Sequence, residues 1–425
     1  MKSVIKKIKK NVIVPGFITL ILLFNSCNEE PTNMGYTLLQ DTITIYPIST
    51  NDTSLITGVG SYRHYLNTIN RGIIHIGKFN EYEAISLLRF TEPVKGTDSL
   101  DFLVDYTTDE IISCKISMPV NRYALGDSLN PGALSFTLYK IVDYWSNLTT
   151  WDSLFTGNLI DMTKPVGEFN GDIEQKDTIP NIEFDFDKEL ALEWIKDWYR
   201  YKNGDTINNI VWGIAFKPND NSSVIRQFAG PAIGGQENTT KLTLIYLDSS
   251  GVEDTLEMVS AIDKPFYKTP EFNPEELIVE GGATIRGLMY FDVSMIPPVS
   301  AIHSAQLELT LDMEKNLFGN FGLDSTILAE LPADNDSASF KEEKFIRSYY
   351  AERTEDKFYF TSITSAIETW NRKDGKGLIV FHPDGSQNEY RELDKMTFYG
   401  LNAPDSAKLP KLTIIYSTRP KFDSK

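Results

Sequence analysis

Four histidines, two cysteines and six tryptophans carry most of the chemistry open to this chain, and their spacing decides how much of it can be used. Metal binding and proton transfer both need side chains that converge. His64, His75, His303 and His382 are scattered and never paired at ligand spacing. His75 and His382 lie in apolar runs, where a satisfied core or edge histidine is expected. There is no His-Glu-x-x-His, no phosphate-binding Gly-Lys-Ser/Thr loop and no Gly-x-Ser-x-Gly elbow. No residue is assigned a catalytic role, and the chain reads as a non-enzyme without a cofactor. A hydrolase would need two carboxylates facing each other across a cleft. Nothing in the spacing marks such a pair. Metal content stays open. Structural calcium would suit Asp105, Asp109 and Glu110, or Asp185 and Asp187, although Asp187 also fits a helix N-cap.

Binding through aromatic rings is the other chemistry available, because the C–H faces of sugars stack on exposed Trp or Tyr. Trp194, Trp198 and Trp370 fall on apolar stripes of helical period, and Trp212 falls in an apolar strand, so these four read as core. Trp145 and Trp151 favour packing as well. Tyr62, Tyr65, Tyr349 and Tyr350 are the surface candidates for ligand binding.

Composition narrows the partners. A formal charge of −18 and a pI near 4.8 argue against nucleic acid, since phosphate binding needs a basic surface. Two cysteines, Cys27 and Cys114, exclude a disulfide framework. The start is an address: five lysines up to Lys10, then an apolar run from Val12 to Phe24. That run is too short to span a bilayer as a helix, which takes ~20 residues. Residues 1–26 read as a signal peptide.

The elements that must position the candidates come from a duplication. Lys241-Leu-Thr-Leu-Ile-Tyr246 returns as Lys411-Leu-Thr-Ile-Ile-Tyr416, an offset of 170 residues (416 less 246). Alternating strands and turn residues every ten or so positions lead up to each copy. Asp187 should cap a helix carrying Leu190, Trp194 and Trp198. A second, capped helix should carry Ile363, Ala366, Ile367 and Trp370. The expected fold is mainly β: two tandem antiparallel jelly-roll-like sandwiches, each with one short helix. The expected boundaries are a linker at 27–35, module one at 36–248, module two at 255–417 and a tail at 418–425. Aligning Ser135–Tyr139 with Gln306–Thr310 leaves module one with an insertion around 97–130.

Four resemblances add to this. Phe24-Asn-Ser-Cys27 resembles the lipobox of bacterial lipoproteins, which implies that Cys27 is lipidated and anchors the chain to the membrane. Asn28-Glu-Glu30 resembles the surface-export signal of Bacteroidota lipoproteins, which implies the outer membrane and the cell surface. Gly287 to Pro298, followed by Ile302-His-Ser-Ala-Gln-Leu-Glu-Leu309, resembles the DNRLRE domain, as do Trp145-Ser-Asn-Leu-Thr-Thr-Trp151 and the two closing strands. Module two lacks the Trp segment, and module one lacks the Asp after Phe90. That family implies extracellular β-sandwiches related in part to carbohydrate-binding modules. Asp followed by Ser or Thr and an apolar residue, as at Asp152, Asp336 and Asp405, resembles a periplasmic O-glycosylation acceptor and equally suits turns. The expected function is binding of a polysaccharide or another surface component. The alternative is a structural subunit of an envelope complex, with a surface protein as partner; a hydrolase ranks behind both.

Overall fold

The structure, a computed structural model, describes residues 44–418 except 52, 94–104, 127–131, 174–179, 206–212, 233–237, 323–325 and 385–388. The leader, Cys27 and Trp212 lie outside the described residues. The strands in chain order are β1 (Ile45–Ser49), β2 (Ile56–Arg63), β3 (Ile73–Phe79), β4 (Tyr82–Phe90), β5 (Ile111–Leu125), β6 (Ala133–Ile141), β7 (Ile160–Asp172), β8 (Asn181–Asp185), β9 (Gly213–Pro218), β10 (Ile225–Ala229), β11 (Lys241–Leu247) and β12 (Glu253–Lys268). They continue with β13 (Leu277–Glu280), β14 (Ile285–Asp292), β15 (Ala301–Thr310), β16 (Ile327–Pro332), β17 (Phe345–Tyr350), β18 (Glu352–Thr354), β19 (Lys357–Phe360), β20 (Lys376–Pro383), β21 (Lys395–Phe398) and β22 (Lys411–Ser417). The helices are α1 (Trp151–Thr156), α2 (Lys188–Lys202), α3 (Ser337–Lys341) and α4 (Thr364–Asn371).

The chain is mainly β, and among the described residues every strand pairing is antiparallel, which supports the sandwich reading. Strands such as β11 and β22 alternate buried and half-exposed residues, the pattern of a sheet with one face on a core. The helices follow local rules. The Asp187 carboxylate accepts the Leu190 N–H at 2.9 Å and starts α2. α4 differs from the expectation of a side-chain cap. It has none, because its N-cap residue is Ile363, which has no polar side-chain atom; the Thr364 hydroxyl beside it accepts the Ala305 N–H of β15 at 3.0 Å.

Pairing exposes the duplication strand by strand. β3–β4, β4–β9, β9–β6 and β6–β7 are matched by β13–β14, β14–β20, β20–β16 and β16–β17. β8–β5–β11 is matched by β19–β15–β22. β5 therefore corresponds to β15, and β6 to β16. The alignment of Ser135–Tyr139 with Gln306–Thr310 was displaced by one strand. The stretch around 97–130 is no insertion in its described part, because it contains the central strand β5. Period-two alternation looks alike in every half-buried strand, so it cannot tell neighbours apart.

The boundaries also change. β12 pairs with β11 through Glu253–Val259 and with β4 through Ser260–Lys268. In the other half, the matching places beside β22 and β14 are taken by β1 and β2. Each half thus begins with a leading segment, β1–β2 in one and β12 in the other, that completes the opposite sandwich. Leu256 and Met258 of β12 are buried in the first core. Leu55 and Ile56, from the beginning of the chain, are buried in the second. The expected limits at 36 and 248 cut across this exchange. Nothing in the periodicity of a strand names its partner across ~200 residues.

Candidate functional site

The exchange builds a seam between the sandwiches, and a groove opens there. Chain leaving β2 supplies Arg63, His64 and Tyr65; β12 supplies Lys264; the segment before and within α1 supplies Trp151 and Asp152. The groove holds about 400 Å³, within the usual ligand-pocket range. Tyr65 is 86% exposed and presents its ring at the rim. Trp151 is partly buried, and its ring centroid lies 5.8 Å from that of Phe155.

Adjacent charges on β12 hold the walls. The Asp263 carboxylate accepts the N–H groups of Gly72 and Ile73, both at 3.1 Å, and so ties down the connection from β2 to β3. Burial pushes its pKa up to about 6. Lys264 Nζ donates to the carbonyls of Ser146, Asn147 and Thr149 at 3.0, 2.8 and 2.8 Å. Burial pushes its pKa down to about 8. Both charges are spent on backbone, which fixes the loops that form the groove. Arg63 likewise donates to Ala283 O and Thr269 Oγ1, each at 3.3 Å.

Below the groove the seam is buried and polar. His75 Nδ1 lies 2.7 Å from the Tyr267 hydroxyl, and its Nε2 lies 3.2 Å from the Arg391 carbonyl. It is a satisfied core histidine, as expected, and burial drives its pKa down to about 3. The Tyr123 hydroxyl donates to Asp394 at 2.8 Å and accepts the Leu393 N–H at 2.7 Å. Glu280 is buried beside Tyr82, and burial raises it to about 7.

The four tyrosine candidates separate. Tyr65 lines the groove and Tyr350 is 64% exposed on β17. Tyr349 is a correction: it is 4% exposed, with its hydroxyl 2.8 Å from Ser365 Oγ, and offers no ring face to solvent. Adjacent strand residues point to opposite faces, so Tyr349 and Tyr350 could not both be outward. Tyr62 is half-buried, with its ring centroid 4.9 Å from that of Phe340; burial raises its pKa to about 12. It belongs to a polar cluster on the outer face of the second sandwich. There Arg286 pairs with Glu389 through bonds of 2.8 and 3.0 Å and with Glu343 at 2.8 Å. His382 Nε2 in the same region lies 3.5 Å from Glu330. These charges are matched among themselves.

Among the tryptophans, Trp194 and Trp370 are buried as read, and Trp145 packs in a smaller cluster. Trp198 is only partly buried, and its indole N–H donates to Glu92 at 2.9 Å. Among the described residues no group of three or more His, Cys, Asp or Glu could hold a metal ion. Glu110 instead accepts both the N–H and the hydroxyl of Thr107, and Asp187 caps α2. Asp336 and Asp405 cap short helical turns through Ser339 and Ala407 N–H, the turn role allowed for them. Lys264 and Trp151 were the site residues missed. The signal for Lys264 was Asp263-Lys264 set between Ala261-Ile262 and Pro265-Phe266-Tyr267 of β12, an expensive pair unless it does structural work.

No family model and no curated protein matches this chain. Among solved structures it is similar to the Streptococcus agalactiae AgI/II polypeptide BspA C terminal domain (WT), at 10% identity over 81% of this chain and 88% of that one, with a TM-score of 0.14. A chain titled BspA_C_mut gives 10% identity over 86% and 91%, again at 0.14. At that score the likeness carries no weight for fold or function.

Proposed function

We propose that the chain is a non-catalytic surface lipoprotein that binds glycan in the groove at the seam of its two sandwiches. One observation carries the reading: a groove of about 400 Å³ whose rim holds the exposed Tyr65 ring and whose wall holds Trp151, between loops already fixed by Asp263 and Lys264. Preorganised aromatic walls suit the C–H faces of a sugar and cost little ordering on binding. The described lining contributes one carboxylate, Asp152, whereas the usual glycosidase chemistry takes two. That supports binding over hydrolysis.

A glycan array with the soluble chain from Asn28 onward tests the proposal. Binding that falls at least about tenfold in Tyr65→Ala is expected. Silence across neutral and acidic glycans would end it. Anchoring at Cys27 is tested apart: Cys27→Ser should release the chain from membranes, and retention with unchanged lipid labelling would refute the anchor.

A second reading, a subunit of an envelope complex, is favoured by β17. It is an edge strand with Ile346 and Tyr350 exposed and no proline. The edges β1 and β7 carry Pro47 and Pro165, which blunt strand addition. Co-purification of a stoichiometric protein partner from membranes, lost on Ile346→Pro, would favour this reading.

A further inference from the structure

We infer that the groove holds one part of a neutral polysaccharide chain and that the chain continues over a crest formed by residues 142–162. The inference rests on the groove being a saccharide site. The segment that supplies Trp151 and Asp152 to the groove wall also exposes Val142, Tyr144, Leu148, Phe155 and Met162. Tyr144 is 71% exposed and Leu148 81%. Five exposed large apolar side chains within 21 consecutive residues are denser than the scattered single ones that need no explanation. The aromatic surface runs on from the groove, since the Trp151 and Phe155 rings adjoin at 5.8 Å with a 59° tilt. A single sugar would engage the groove and leave this crest bare.

The crest is also rigid. Lys264 grips three of its carbonyls, and Thr150 and Ser153 form a reciprocal capping box at the start of α1. A fixed platform binds an extended chain without first having to be ordered.

Charge selects a neutral chain. Asp143, Asp152 and Asp161 punctuate the crest, on a chain of formal charge −18. The cations of the groove are engaged elsewhere, Lys264 by three carbonyls and Arg63 by Ala283 and Thr269. An acidic polymer would meet repulsion from these carboxylates along the crest, and Lys264, its three donors directed at backbone carbonyls, is not free to hydrogen-bond it.

The test is calorimetric titration of the soluble chain with glucan, mannan, xylan and galactan, each beside its own disaccharide, and with polygalacturonate. At least one neutral polymer should bind about tenfold or more tightly than its disaccharide. The double variant Tyr144→Ala/Leu148→Ala, at two crest residues outside the groove lining, should erase that advantage and leave disaccharide binding intact. Both side chains are exposed, so an unchanged melting temperature shows that the variant is folded. Equal affinity for polymer and disaccharide, unmoved by the double variant, overturns the crest and leaves the groove standing. Preference for polygalacturonate overturns the neutral assignment. Absence of binding by every sugar overturns the groove and the crest together.

Discussion

Glu280 and His75 lie in the same buried seam and respond to pH in opposite senses. Burial raises Glu280 from its ordinary 4.5 to about 7, so folding favours its protonated form. Its contribution is full below the unfolded value and is lost as pH rises through about 7. Burial lowers His75 from 6.5 to about 3, so folding favours the neutral ring. That contribution is full above the unfolded value and is lost as pH falls towards 3. Glu280→Gln should therefore gain stability over the parent near pH ~8 and little near pH ~4, where the parent carboxyl is protonated in both states. Urea midpoints of the two proteins at those pH values measure it. An equal difference at both would show that Glu280 does not titrate on unfolding.

The strand-and-helix unit repeats, and its aromatic contacts show which residues correspond. In the first sandwich Trp194 of α2 lies 5.9 Å from Phe90 at the end of β4. In the second, Trp370 of α4 lies 5.0 Å from Phe291 near the end of β14. Trp194, not Trp198, is the counterpart of Trp370. The helical stripe placed both Trp194 and Trp198 on one face, but the last turn of α2 overhangs the core and leaves Trp198 at its margin. Gly377 of β20 shows how tight the second site is. A Cβ there would come within 2.0 Å of the Trp370 ring. Gly377→Ala should cost ~1–3 kcal/mol through overpacking, read from the denaturation midpoint. A cost near zero would mean that the indole moves freely. The short helices α1 and α3, at six and five residues, are too short to show a period, but the longer helices α2 and α4, most strands and the buried indoles were legible because period and capping act over a few residues. The Asp187 cap, the α4 stripe and the closing strands are of that kind. The seam groove was not legible, because Tyr65, Trp151 and Lys264 meet only after two leading segments have crossed.

At the scale of the whole molecule, that crossing makes two duplicated sandwiches into one body. The first core includes Leu256 and Met258 of β12, and the second includes Leu55 and Ile56 of the leading segment. Neither core closes without a segment carried by the other half. The same segments bring Arg63, Tyr65 and Lys264 to the groove, so ligand binding and cooperative folding depend on one feature. A chain truncated before Ile73 should lose β1 and β2, expose the second core and bind a hydrophobic dye. A truncated chain that stays compact and dye-free would show those strands to be dispensable. Thermal unfolding of the full soluble chain and of Trp370→Ala tests the exchange most directly. Loss of a buried indole costs ~3–5 kcal/mol, a large share of a domain's ~5–15. One transition is predicted for each protein, with the whole transition of Trp370→Ala shifted to lower temperature. Two resolved transitions, of which Trp370→Ala moves only one, would contradict the exchange and restore two independent sandwiches.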